Sequence, residues 1–280
     1  MEKPYAVRKA TSHLMAALTV LSAGMSAGLL LLLLVYVVRQ GAAALNWDFF
    51  TKNPVPVGEP GGGIANAIVG TFVVVGLAAL FALPIGIGSG IYLSEFGRNR
   101  FGDVVRFLAD VLSGVPSIIM GIFAYVLIVA RQGHFSALSG GFALGVMMLP
   151  VVTRTTEEML RMVPDSVREA GLALGLPRWR VLVHAVIPAA SRGILTGVVL
   201  ALARVAGETA PLLFTAFGNP YFSLDINQPI ATLPHTLFNY AISPYDDWHL
   251  KAWGAALVLT GLVFIASLLV RLLGAREMST

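Results

Sequence analysis

Met25-Ser-Ala-Gly-Leu-Leu-Leu-Leu-Leu-Leu-Val-Tyr-Val-Val38 lies inside a stretch, residues 14–38, that carries no charged side chain. Six consecutive leucines cannot form a barrel strand, which alternates lipid-facing and lumen-facing positions. A helix crossing a bilayer needs about 20 apolar residues, and this run supplies them. Lys3, Arg8 and Lys9 before it and Ala42–Ala44 after it imitate a signal peptide. The run is too long for the roughly 7–15-residue apolar segment of such a peptide, so the sequence predicts an uncleaved first helix.

The same signal recurs along the chain. Residues 60–94, 111–130, 135–153 and 252–270 are uncharged, and 193–224 is apolar except for Arg204 and Glu208. Six transmembrane helices follow, and with them an all-α polytopic membrane protein. Composition agrees, with 56% hydrophobic residues, 12% charged and a mean hydropathy of +0.79 over 280 residues. Soluble domains carry about a quarter charged residues. The apolar content excludes disorder, and glycine without a triplet period excludes collagen. The net charge of +4 does not point to nucleic acid, because the basic residues are scattered over short loops. Cysteine is absent, which removes disulfides and thiolate metal sites.

Orientation follows from Lys and Arg on alternate sides. The N-terminal tail carries three, loop 94–109 carries Arg98, Arg100 and Arg106, loop 154–192 six and the C-terminus two, 14 in all. The other side carries four: Arg39, Lys52, Arg131 and Lys251. Both termini are therefore expected in the cytoplasm. Trp47, Phe49, Phe50, Trp248 and Trp253 suit aromatic belts at the outer interface. The outer stretch 219–250, with three aspartates and four prolines, reads as a solvent-facing cap.

The inner loop, about 154–191, is the informative one. Ser166 and Glu169 have capping-box spacing, Pro164 suits a helix start, and Gly175 followed by Pro177 gives a stop. The result is a surface helix of about ten residues. Val167, Ala170, Gly171 and Leu174 fall at i, i+3, i+4 and i+7, one small-residue face that another protein could approach closely. Periodicity alone equally allows an amphipathic helix resting on lipid headgroups.

Glu169-Ala170-Gly171, then Gly175, then Pro188, resembles the EAA loop of ABC-importer permeases, with Gly171 in place of the second Ala and Ala185 where Ile is common. In that family the loop forms a coupling helix seated in a cleft of the cytoplasmic ATPase. Four further runs resemble PstA-type phosphate permeases: Gly61 to Gly70, Pro84 to Phe96, Gly114 to Gly121, and Arg204-Val-Ala-Gly-Glu-Thr-Ala-Pro-Leu-Leu213. The resemblance implies a type I ABC-importer permease fold, with residues 1–60 as tail, first helix and outer loop and 61–275 as permease core. It implies a multi-pass protein of a bacterial or archaeal plasma membrane, the inner membrane in a Gram-negative cell. Its implied partners are a paralogous PstC-type permease, two PstB-type ATPase subunits and a PstS-type extracytoplasmic phosphate-binding protein. No cofactor is implied for this chain. ATP and Mg belong to the partner ATPase, and the sequence itself holds no Walker A motif.

Arg204 and Glu208 stand four apart, one turn of a continuous helix, where their side chains can meet. An arginine at mid-membrane costs about 2.5–3.5 kcal/mol on insertion scales. A planar guanidinium matches phosphate oxygens two-pronged. With Thr209 they form the candidate substrate pathway, in which Glu208 orients Arg204 and accepts the acidic proton of hydrogenphosphate. The competing reading is a structural ion pair that locks this helix to a neighbouring subunit. Pro211, three residues on from Glu208, fits a bend near the pair.

Pro84, Gly86 and Gly90 read as a helix-packing element and not a dinucleotide loop, since no βαβ unit surrounds them. The five His lack ligand spacing, so no metal site is expected. An importer for another oxyanion, such as sulfate or molybdate, satisfies Arg204 equally well. An intramembrane enzyme would require paired catalytic groups within spans, and an autonomous ion channel would need no coupling loop.

Overall fold

The computed structural model describes residues 4–56, 59 and 61–276; Lys3 of the charge count and Pro60 at the first expected boundary lie outside them. Among the described residues the elements are helical: α1 (Tyr5–Gly41), α2 (Trp47–Thr51), α3 (Ala65–Glu95), α4 (Arg100–Gly114), α5 (Ser117–Gln132), α6 (Ala137–Arg161), α7 (Asp165–Ala173), α8 (Arg178–Ala206), α9 (Ala210–Leu213), α10 (Leu233–Ala241) and α11 (Asp246–Arg276). Five of them, α1, α3, α6, α8 and α11, are long and apolar enough to cross a membrane. The bent pair α4–α5 brings the number to six when the two are counted together as one broken span.

Two expected spans are relocated. The third, expected at 111–130, is broken at Val115-Pro116, where α4 and α5 meet at 105°. Proline drives the preceding residue out of the helical region, and Val115 is accordingly extended (ψ 131°). α5 alone is about 24 Å long at about 1.5 Å per residue, short of a full crossing. The fifth, expected at 193–224, is α8, which starts fifteen residues earlier and stops at Ala206. Gly207 caps it, and the ring of Pro211 is incompatible with a helical carbonyl at Gly207.

The core forms around α3 and α6, the most extensive helix pair, with Val74, Ala78 and Ala82 against Leu144, Met148 and Val152. Gly86 and Gly90 lie on this contact. A Cβ at Gly86 would sit 2.8 Å from Val152 Cγ1, and one at Gly90 2.7 Å from the Thr153 carbonyl. α3 runs unbroken through Pro84. α1 touches the bundle only near its C-terminal end, where Tyr36 meets Trp253 edge-on at 5.2 Å.

The stretch 219–250 is not a solvent-facing cap throughout. Residues 230–236 re-enter the bundle and are all buried. The Ala231 carbonyl lies against Gly70, leaving no room for a Cβ there, and the Leu233 amide donates to Thr71 Oγ1 at 2.8 Å. The prolines and aspartates that suggested exposure lie mostly on the flanks; Pro234 itself is buried.

Candidate functional site

α7 starts after Pro164 and ends in a Schellman closure. Gly175 adopts φ +76°, its N–H donates to the Leu172 carbonyl (2.9 Å) and that of Leu176 to the Gly171 carbonyl (3.2 Å). The capping box expected from Ser166 does not form, because the helix already runs through that residue.

Successive residues turn by about 100°, which gives α7 three sides. Val167 and Gly171 face their own chain, against Leu160, Val163, Val181 and Val186. A Cβ on Gly171 would come within 2.7 Å of Val181 Cγ2. Glu169, Ala170 and Ala173 face outward, and Leu174 beside them is 80% exposed. Asp165, Arg168 and Leu172 form the third side, on a cleft of about 660 Å³. The single small-residue face read from the sequence is thus split, with Gly171 used inside the chain and Ala170 left outside.

Arg168 fastens α7 to the spans. Its guanidinium donates to Glu95 Oε1 (2.8 Å), to the Leu160 carbonyl (2.9 Å) and to the Val163 carbonyl (2.8 Å). Glu95 ends α3, and Leu160 is in the last turn of α6, whose carbonyls lack helical partners. α7 therefore rests on the ends of α3 and α6 through Arg168 and on α8 through Gly171. Pro188 lies within α8, just after a π-helical turn (Leu182–Val186) that has already shifted the backbone hydrogen-bond register.

Sequence reading missed a buried carboxylate. Glu157, 1% exposed, binds Arg106 Nε at 2.7 Å, Arg161 at 2.8 Å and Arg154 at 3.2 Å. Arg154 also pairs with Asp110, and Arg106 donates to the carbonyls of Gly97 and Leu93, which tethers α4 to the end of α3. The signal was present: Glu157 stands three residues after Arg154 and four before Arg161, legible once α6 is allowed to run past 153.

Arg204 and Glu208 are not on one helical turn, a correction to the expected geometry. α8 ends between them, and Glu208 follows in irregular backbone with Thr209 at the start of α9. Arg204 is exposed and Glu208 half-buried, and neither has an ion pair or side-chain hydrogen bond with a described residue. Across the bundle from α7, a second cleft of about 770 Å³ includes Asn66, Asn219, His235 and Tyr240. Burial holds His235 below its ordinary value and, with Asp247 nearby, pushes Tyr240 up to about 12. Among the described residues no cluster of His, Asp or Glu is arranged to hold a metal.

A bundle of five or six spans with a short helix lying across the ends of three of them is the fold of ABC-importer permeases. The structure superposes on a chain of an inward-facing MetNI methionine ABC transporter with TM-score 0.61 at 17% identity, covering 76% of this chain and 94% of that one. A chain of an amino acid ABC transporter gives 0.57 at 16% identity, covering 76% and 93%. Residues 82–278 match the model of the binding-protein-dependent transport system inner membrane component, and the chain belongs to that family. Its relatives include proteins named phosphate transport system permease protein PstA. That of Xylella fastidiosa is 49% identical over 234 residues, 82% of this chain and 81% of the relative. That of Haemophilus influenzae is 44% identical over 266 residues, 95% and 94%.

Proposed function

We propose that this chain is a permease subunit of an ATP-driven importer of inorganic phosphate. The observation that carries the reading is α7, fastened to three spans and presenting Glu169 and Ala170 outward, in a chain 44–49% identical over most of its length to proteins named as PstA. ATP is hydrolysed on a separate ATPase subunit, with Mg, and this chain needs no cofactor. The assembly comprises a PstC-type permease, two PstB-type ATPases and a PstS-type binding protein, in a bacterial or archaeal plasma membrane, with both termini and α7 in the cytoplasm.

Coupling follows from the contacts. An ATPase that grips Glu169, Ala170, Gly175 and the exposed Leu174 moves α7 as a unit. Arg168 passes the displacement to α3 and α6, and the Gly171–Val181 contact passes it to α8. α8 carries Arg204 at its far end, and Glu208 and Thr209 follow in the break. An arginine exposed along a span, with no partner among the described residues, suits a water-filled path shared with a second permease. There its fork meets the anion and the Glu208 carboxylate accepts a hydrogen bond from the anion's P–OH group.

Radiolabelled phosphate uptake by proteoliposomes containing the co-purified complex tests the function. Uptake that depends on ATP and on this chain is expected; uptake of sulfate or molybdate in place of phosphate contradicts it. Orientation is tested on the cysteine-free chain with Ser166→Cys, which an impermeant thiol reagent should leave unmodified in intact cells.

A further inference from the structure

The cleft beside α7 holds four arginines, Arg98, Arg161, Arg168 and Arg178, against two carboxylates, Glu95 and Asp165. Arg161 and Arg168 are engaged, with Glu157 and Glu95 at 2.8 Å each. Arg98 and Arg178 have no ion pair or hydrogen bond with any described residue. Both line the cleft, Arg98 on the turn between α3 and α4 and Arg178 at the first position of α8. Arg178 is badly placed for its own helix, since a cation at the N-terminus opposes the macrodipole. At the same helix end Arg180 and Val181 donate to the Pro177 carbonyl, while the Arg178 and Trp179 N–H groups have no partner among the described residues. Two unpaired guanidinium forks and a helix N-terminus around one concave space are complementary to a single anion with several oxygens.

We propose that this cleft binds a phosphoryl anion between Arg98 and Arg178, bracing α7 against the end of α3 and the start of α8. The anion occupies the side of α7 formed by Asp165, Arg168 and Leu172, so the outward side with Glu169, Ala170 and Ala173 stays free for the ATPase. Two sources share this chemistry. One is the headgroup of an anionic phospholipid of the adjacent leaflet, which basic clefts between helices accept. The other is inorganic phosphate on the side to which the importer delivers it; this source rests on the function proposed above.

The test uses the assembled complex in nanodiscs. Equilibrium binding of radiolabelled inorganic phosphate is measured in phosphatidylcholine alone, and retained phosphatidylglycerol is counted by native mass spectrometry in mixed lipid. The double variant Arg98→Gln with Arg178→Gln should weaken one of the two ligands by roughly tenfold or more, as expected for lost hydrogen bonds to a charged group. Arg98→Lys with Arg178→Lys should fall in between, because charge persists without the fork. The comparison is made in an Arg204→Gln background, which abolishes uptake and removes the phosphate bound on the transport path, so that loss from the cleft and failure of the transport reading are separately visible. Phosphate loss identifies free anion as the source, and phosphatidylglycerol loss identifies lipid. Equal phosphate binding and equal lipid retention with and without the glutamine pair, in that background, would overturn the proposal. If the pair does not assemble, Arg98→Gln alone, on an exposed turn, decides by the same two readouts.

Discussion

Glu157 and Glu208 are both carboxylates close to apolar spans, and the chain treats them in opposite ways. Glu157 is buried and satisfied by three arginines from α4 and α6. Glu208, with Arg204, stands at a helix break and has no partner among the described residues. A charge that serves the fold is paired inside the chain, because leaving it buried alone costs several kcal/mol. A charge left unpaired along a span is turned toward something the chain does not contain. The comparison separates a lock, near α7, from the proposed site, at the end of α8.

The largest effect expected from it is on assembly. Glu157→Ala takes the shared acceptor from Arg106, Arg154 and Arg161, while Arg106 keeps the Gly97 and Leu93 carbonyls and Arg154 keeps Asp110. A lost hydrogen bond to a charged group costs about 1.5–3 kcal/mol, so folded chain in detergent should drop by size-exclusion chromatography. Glu208→Ala breaks no side-chain bond with a described residue and should leave that abundance near wild type. Equal losses would erase the distinction.

A smaller effect separates two neighbours on α7. Gly171→Trp drives a ring into Val181 and should dislodge the helix, beyond the roughly 1–3 kcal/mol of ordinary overpacking. Ala170→Trp projects outward, so the chain should fold normally while phosphate-stimulated ATPase activity collapses. Wild-type stimulation in a well-folded Ala170→Trp complex would mean that the outward side is not the docking side.

The smallest effect concerns the opposite cleft. His235 is held neutral by burial, below its ordinary value of 6.5. The unfolded chain therefore binds the extra proton first. Stability is full above pH 6.5, falls as pH drops through the lowered value, and levels off below it. Thermal unfolding of the complex should show this step, and His235→Gln should remove it.

Much of the fold was legible. Leu29 to Leu34 decide a helical membrane protein, and Gly175 with Pro177 fixes the end of α7 where the structure has it. The errors have local causes. Arg192 interrupts the hydropathy of α8, which moved the expected span toward its C-terminal side. Pro211 looked like a bend and, with Gly207, is a stop. The spacing of Val167, Ala170, Gly171 and Leu174 marks a face, but periodicity cannot say whether that face meets its own chain or another. The approach of Ala231 to Gly70 joins residues 161 positions apart, and only packing reveals it.

The central claim is that Arg204 contacts the transported anion. The direct measurement is radiolabelled phosphate uptake at equal complex abundance in Arg204→Gln and in the double variant Arg204→Gln with Glu208→Gln. The single variant should be nearly inactive in a complex that still assembles, with Arg204→Lys retaining part of the rate. A structural pair can often be replaced by neutral residues at little cost, since both desolvation penalties vanish together. The account predicts that uptake stays absent in the assembled double variant. Uptake restored to near wild type would contradict it and make the two charges a lock between subunits.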